Sequence, residues 1–291
     1  MQYQIVPFED IDKNKWNGSV HYAPHGNVFG YYWYLRSVMK EWDAIIEGDY
    51  QSVMPLPRYP LSKFEWSLLP SLGPYSVNAI TAARSKTFFE MWKDSGSAQY
   101  YPFNSAWSVL LYPFSKEFLF QDRFISLNLG NDYDTLFNQY SKKSQLKLYD
   151  QMNSEYIYHS FNKPEQFLEN ISMNHHERNT LYRLFYNAIQ RGAGYHTRIV
   201  EKDSGKMAEC FLISDQRNIY LPYINESNDS DIELKLIDTL LKSQAGKPVS
   251  LRLPEKLASI WKKENLIHEN FLFMQHKSLS MMDRIRAIFK I

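Results

Sequence analysis

The sequence predicts an α/β protein in which one mixed-sheet plan is used twice. Three observations carry this. Apolar residues switch between a period of 3.6 and a period of 2 along the chain, so helices and strands alternate. The succession helix, hairpin, strand, helix, strand occurs in both halves at similar spacing. At the midpoint, residues 136–161 begin helically, with Leu136, Phe137 and Tyr140 on one side, and turn into a strand at 156–161. That stretch reads as the joint between the copies. The expected division is a first domain over 1–135, a connecting helix and hinge over 136–155, and a second domain over 156–291.

In the first half, residues 2–8 alternate as a strand and 10–16 read as a short helix opened by acidic residues. Asn27 can cap the next helix, whose apolar face carries Phe29, Trp33, Tyr34 and Met39. Residues 42–47 and 50–56 flank a Gly48-Asp49 turn and form a hairpin. Residues 64–69 read as a strand ended by Pro70 and the Gly73-Pro74 turn. A helix over 81–93 buries Phe88, Phe89 and Trp92, and strands at 99–101, 108–112 and 124–129 close the half. In the second half, the strand at 156–161 leads to a short helix opened by Pro164. The helix over 177–190 stops at Gly192-Ala193-Gly194. A hairpin over 195–214 turns at Asp203-Ser204-Gly205, and the strand 218–223 leads to the helix 231–242. Strand 249–253, helix 255–263 and strand 271–276 complete the plan.

With 291 residues, 44% of them hydrophobic and 22% charged, the chain is globular and long enough for two cores. Thirty-three basic against 32 acidic residues lack the global basic footprint of a nucleic-acid binder, and no DNA partner is expected. One cysteine, Cys210, excludes an internal disulfide and fits a reducing compartment; it reads as a buried, inert thiol. The start of the chain has no secretory pattern and no stretch is long enough to span a bilayer, so a cytoplasmic location is expected.

Some residues carry a family likeness. The run Trp42-Asp43-Ala44-Ile45-Ile46-Glu47-Gly48-Asp49-Tyr50, followed by Val53-Met54-Pro55-Leu56-Pro57, resembles a motif of bacterial double-GNAT proteins, as does Tyr140-Ser141-Lys142. The order of elements resembles the GNAT (acyl-CoA N-acyltransferase-like) fold in tandem, as in the FemABX-type aminoacyltransferase group. The resemblance implies two GNAT-like domains with mixed central sheets flanked by helices. It also implies an acyltransferase moving an acyl or aminoacyl group onto an amine in the inter-domain cleft. The sequence departs from the family after Tyr-Ser-Lys, with Lys143, Ser144, Gln145, Leu146 and Lys147 in place of Asn and consecutive arginines. It departs again at Leu251-Arg252-Leu253-Pro254-Glu255, where an acidic run is usual.

The candidate chemistry follows. Lys142, Lys143 and Lys147 form the densest basic cluster by the joint, either a substrate anchor or a solvated helix end complementing the dipole. Tyr220 and Tyr223, with Asn225 as a binding residue, occupy the place where GNAT strands splay and a backbone N–H can hold an oxyanion; core packing explains Tyr220 equally well. Glu209 and His196, on the hairpin facing that strand, are the candidate proton acceptors. Acyl-CoA is the candidate donor, but the loop over 224–230 holds Glu226 and Asp229 and no glycine, which suits a bare helix start and repels a pyrophosphate. The loop after Gly73 has no basic side chain, and Gly192-Ala193-Gly194 leaves a helix, so it reads as a C-cap. His175-His176-Glu177 lacks ligand spacing, and no metal is implied. No helical arm that would suit a tRNA donor is present, which favours a small-molecule or peptide-like substrate. The amphipathic stretch 279–291 has two readings, docking on its own domain or lying on an anionic membrane. The rival to an enzyme is a catalytically silent fold kept as a binding or partner module.

Overall fold

The computed structural model describes residues 2–95, 100–111, 120–161, 163–169, 171–225 and 230–275. Two compact units emerge. The first takes the chain to Asp122 together with the segment from Asn270, and the second is Arg123–Glu269. This is a different partition from the expected 1–135 and 156–291.

The first unit opens with β1 (Tyr3–Val6), α1 (Lys13–Tyr22) and α2 (Tyr32–Met39). The Asp12 side chain accepts from the Asn14 and Lys15 amides and so starts α1 later than the acidic residues alone suggest. Asn27 does cap, but it caps a 3-10 turn over Val28–Gly30 that precedes α2. The hairpin β2 (Trp42–Glu47) and β3 (Ser52–Pro57) forms as expected, with Gly48 and Tyr50 both at φ 59° in its turn. The expected strand at 64–69 is instead α3 (Lys63–Ser67). Ser62 and Glu65 form a reciprocal capping box, and that local device outweighs the apolar run. β4 (Tyr75–Ser76) and α4 (Ala82–Ser95) follow, α4 burying Phe88, Phe89 and Trp92. After β5 (Tyr100–Phe103), the expected strand at 108–112 is α5 (Ser105–Leu111) as far as it is described. Asn104 precedes it and accepts from the Trp107 amide at 3.2 Å, which starts a helix. The sheet order is β1-β2-β3-β4, all antiparallel, and Trp16, Trp42, Tyr34 and Trp107 are wholly buried around it.

The second unit contains residues 123–128 of β6 (Phe120–Asn128), then α6 (Tyr133–Phe137) and α7 (Lys142–Asp150). The single joining helix is thus two helices. The break lies at Tyr140, which bridges to Trp261, and Ser141 caps α7. Then come β7 (Tyr156–Phe161), α8 (Pro164–Leu168), α9 (His175–Gln190), β8 (Gly194–Glu201), β9 (Met207–Ser214), β10 (Asn218–Asn225), α10 (Ser230–Gln244) and β11 (Ser250–Pro254). β12 (Ile267–Gln275) ends the described chain; the stretch 279–291 lies outside the described residues. Residues 255–260 and 263–265 are 3-10 turns where one helix was expected. After α9 the Gly192 amide reaches Ile189 O and the Ala193 amide reaches Ala188 O, with Gly192 at φ +65°, so Gly192 ends the helix as a C-cap.

The strands β7-β8-β9-β10 repeat the order of β1-β2-β3-β4. The sixth strand of each copy, however, is exchanged. β6 does not close the first half: its residues 124–128 pair antiparallel with β11 in the second unit. The end of β12, residues 272–275, pairs antiparallel with β5 in the first. One face of the second unit's sheet, through Ala208, Cys210, Leu212, Ile219, Leu251 and Leu253, packs on Ile232, Leu236 and Leu241 of α10 to form its core. Each leucine and isoleucine among them contributes about 1.5–3 kcal/mol by leaving water. Asp238 of α10 is buried there and accepts from Tyr133 Oη at 2.6 Å and Tyr140 Oη at 3.3 Å.

Candidate functional site

β10 is where the sheet of the second unit opens. It runs parallel to β11 over Asn218, Ile219 and Tyr220 against Ser250, Leu251 and Arg252, and that pairing then ends. On its other side it pairs antiparallel with β9, Tyr220 opposite Ile213 and then Tyr223 opposite Phe211. Three residues on β10 span two on β9, which is a bulge, and Leu221 and Pro222 have no register partner. Proline suits that position because it has no N–H to give to a ladder. Both ladders that run through Tyr220 therefore lapse at the next residue. In the first unit the counterpart follows the parallel bridge Leu72–Phe103, and it is closed: His25 Nε2 lies 2.9 Å and Asn104 Nδ2 3.3 Å from Pro74 O.

The sheet face turned away from α10 carries the candidate residues. Opposite register positions share a face, so Tyr220, Ile213, Arg252 and Ser126 lie together, and Glu209 and Phe211 continue the row along β9. The Arg252 guanidinium sits 5.7 Å above the Tyr220 ring, and its Nε donates to Asn218 Oδ1 at 2.9 Å. Asn218 Nδ2 donates to Asp215 Oδ1 at 3.3 Å. Tyr220 and Asn218 are buried.

Glu209 and His196 form a second cluster on the same face. Glu209 Oε2 accepts from Arg198 Nε at 2.8 Å and lies 3.2 Å from His196 Nε2. Both residues are buried, and His196 packs against Phe161 and Phe167. His196 Nδ1 is a buried nitrogen with no hydrogen-bond partner. Four residues along β9 separate the Glu209 and Ile213 positions, about 13 Å at the rise of a strand. The Tyr220 group and the Glu209–His196 group are therefore not one cluster. Glu209 is instead directly opposite Asn225, and Tyr223 is opposite Phe211, which is itself opposite His196. The backbone places Tyr223 and Asn225 on β10; their side chains lie outside the described set.

The three lysines are separated by α7. Lys147, in its last turn, pairs with Asp231 and lies 3.4 Å from Ser230 Oγ, at the start of α10, where Gln151 Nε2 also reaches Asp231 O at 3.0 Å. Lys142 and Lys143 are exposed in the first turn. They sit at the positive end of the helix, so the dipole-complementing reading fails for them and holds only for Lys147. The described start of α10 thus already holds its own carboxylate and does not fit a pyrophosphate; residues 226–229 of the loop before it lie outside the described residues. Asn174 and Glu177 form a capping box around His175 and His176, which belong to a helix start. Among the described residues no group of three or more metal-ligating side chains is present, and no helix is long and apolar enough to cross a membrane. Arg198 was not foreseen, although its position two residues after His196 on one strand marks it as sharing that face.

No protein-family model matches the sequence. No curated protein matches it. Solved structures do. FemX aligns over 100% of both chains with a TM-score of 0.63 at 9% identity. A conserved protein of unknown function from Bacteroides thetaiotaomicron aligns over 94% of this chain and 100% of its own, at a TM-score of 0.58 and 10% identity. L-PGS from Bacillus licheniformis aligns over 96% of each, at 0.53 and 10%. The order of elements, the bulged and splayed β10 and the whole-length match to FemX agree: this chain has the tandem GNAT-like fold of the FemABX type.

Proposed function

We propose that the second unit carries an acyl-transfer centre where β10 parts from β11, moving an acyl or aminoacyl group onto an amine. The single observation that carries this reading is the coincidence of the bulge at Leu221–Pro222 with the end of the parallel pairing at Tyr220 and Arg252. A bulge turns backbone groups out of the ladder. The N–H of Leu221 or Tyr223, Pro222 having none, is then the donor for the oxygen of the reacting carbonyl. The neutral amine nitrogen attacks the carbonyl carbon, the new C–N bond forms, and the bond to the donor's leaving group breaks. The proton shed by the nitrogen passes to the Glu209–His196 pair, one strand removed from Asn225 and held in place by Arg198. Tyr220 lies beside the opening, Lys147 stands at the start of α10, and the exposed Lys142 and Lys143 meet an anionic part of the substrate. No step is assigned to CoA, because the start of α10 holds Asp231.

A second reading, a catalytically silent binding module, is favoured by that same Lys147–Asp231 pair and by the full burial of Glu209 and His196. A thermal-shift screen with acetyl-CoA, longer acyl-CoAs and aminoacyl donors, followed by mass spectrometry of amine acceptors, separates the two. Transfer that falls about 100-fold or more in Glu209→Gln supports the enzyme. Silence with every donor supports the module.

A further inference from the structure

An open sheet edge presents a row of unpaired N–H and C=O groups, and folded proteins blunt it with proline, with charge or by keeping the strand short. Four strands end the two sheets, β1 and β4 in one, β5 and β7 in the other. β4 is two residues long and follows Pro74, β1 runs into Pro7, and β5 contains Pro102. β7 carries none of these devices. Its residues, Tyr156-Ile157-Tyr158-His159-Ser160-Phe161, include no proline and no Asp, Glu, Lys or Arg. All of them pair with β8 in unbroken register, so no bulge twists the edge away. No described strand lies beyond it. Ile157 and Tyr158, on opposite faces of the edge, are 42% and 52% exposed. Ile157 also begins an apolar row that crosses the sheet through Val200 of β8 to Met207 of β9, itself 38% exposed.

We propose that β7 is a self-association edge, through which two copies of this chain dimerise by antiparallel β7–β7 pairing centred on Tyr158. A twofold axis normal to the sheet sets one residue opposite itself and every other residue opposite its mirror position along the strand. With Tyr158 at the axis the two exposed phenol rings meet, and aromatic cross-strand pairs are favourable. Ile157 is then covered by His159 of the second copy, and Tyr156 lies opposite Ser160 of the second copy. Glu155 stands opposite Phe161 of the second copy, whose ring carries the Arg198 guanidinium at 5.0 Å, so a carboxylate meets a cation at both ends of the contact. An axis at His159 would instead set two imidazoles together, which repel once both are protonated. The paired strands close about six backbone hydrogen bonds that each edge alone leaves to water. The dimer is independent of the transfer chemistry.

Sedimentation equilibrium of the full chain tests this. A short edge contact is expected to give a reversible dimer in the micromolar range. A single-chain mass at every concentration up to about 1 mM overturns the proposal. Ile157→Lys puts a charge on the edge and is expected to raise the dimer Kd about 10-fold or more, with circular dichroism and melting temperature unchanged. Tyr158→Cys sets two thiols directly opposite each other within disulfide range, so mild oxidation should yield a covalent dimer. The native Cys210 is buried and does not compete. Ser160→Cys lies on the same face two residues along, which leaves its thiols about 13 Å apart along the strands, and it should stay uncrosslinked under the same treatment. A dimer whose Kd Ile157→Lys leaves unchanged overturns the pairing, and so does crosslinking in Ser160→Cys without crosslinking in Tyr158→Cys. If a variant does not fold, the mass of the unmodified protein and the remaining variants decide.

Discussion

Arg84→Met is the sharpest test of how the first unit is held together. Arg84 of α4 reaches the end of the β2–β3 hairpin, where it pairs with Glu47; the side chains are 9% and 0% exposed. Arg84 Nε donates to Glu47 Oε1 at 3.0 Å, and its Nη2 also reaches Ser52 and, at 3.0 Å, Ser76. Tyr3 of β1 donates to Glu47 Oε1 at 2.8 Å. One guanidinium thus ties β1, β2, β3, β4 and α4. Removing it leaves Glu47 buried with neutral partners only, a change that costs about 3–5 kcal/mol. At about 2–4 °C per kcal/mol for domains of 150–250 residues, the melting transition falls by roughly 6–20 °C.

The pH dependence separates this account from a simple packing defect. Burial pushes the Glu47 carboxyl up, but hydrogen bonds from Arg84, Ser52 and Tyr3 more than offset it, and its pKa stands below the ordinary value. In the unmodified protein that pairing is therefore fully present above the unfolded carboxylate pKa and is lost as the pH falls through the lower folded one. In Arg84→Met only desolvation and neutral hydrogen bonds act, so the folded pKa rises and the buried carboxyl prefers to be protonated. The stability gap between the two proteins is then widest near neutral pH and narrows on acidification toward the carboxylate range. Calorimetric melts between pH 4.5 and 8 measure it. A melting point within 2 °C of the unmodified protein, or a deficit that does not change with pH, refutes the reasoning. The double variant Glu47→Gln/Arg84→Met should recover part of the loss, because no buried charge remains.

Other expectations are equally open to measurement. Gly194→Ala puts a Cβ 2.7 Å from Ala188 Cβ and 2.9 Å from Phe211 Cζ, and urea denaturation should show a loss of about 1–3 kcal/mol from overpacking between α9 and the sheet. Gly192→Ala meets open space but keeps φ at +65°, so about 1–2 kcal/mol of backbone strain is expected there with no change in packing. Tyr133→Phe deletes the 2.6 Å bond to buried Asp238 and should lower stability by about 1.5–3 kcal/mol, read in the same denaturation series. Glu9, exposed and forked to Arg58 at 2.8 and 2.9 Å, has its carboxyl pKa lowered to about 2, first by that hydrogen bond; carbon-13 titration should find it there and find it returned to the ordinary range in Arg58→Gln.

Much of the chain's local structure is written in neighbouring residues. The hairpins at Gly48 and Gly205, the proline-opened α8, the stop at Gly192 and the buried stripe of α4 all follow from contacts within a few residues, and the amino-acid order alone determines them. The repeated succession of elements, and with it the tandem α/β plan, is legible for the same reason. Short apolar runs fit a strand or a buried helix equally well. Residues 64–69 and 108–112 read as strands, yet the side chains of Ser62, Glu65 and Asn104 acting on backbone amides start helices at Lys63 and Ser105.

Tertiary structure decided what depends on partners far away in sequence. Nothing in residues 120–128 says that β6 will pair with β11 of the other half, or that the end of β12 will pair with β5. That exchange places Ser126 beside Arg252, while the pairings of β10 with β9 and β11 set Tyr220 beside both the bulge and the parting of the strands. Strand alternation alone could not assign a face to Glu209 or His196, because shifting a register by one residue reverses every side chain. The pairing of Arg198 with Glu209 across the hairpin, and the Lys147–Asp231 contact between α7 and α10, exist only once helices and strands are packed, where distance in space replaces distance along the chain.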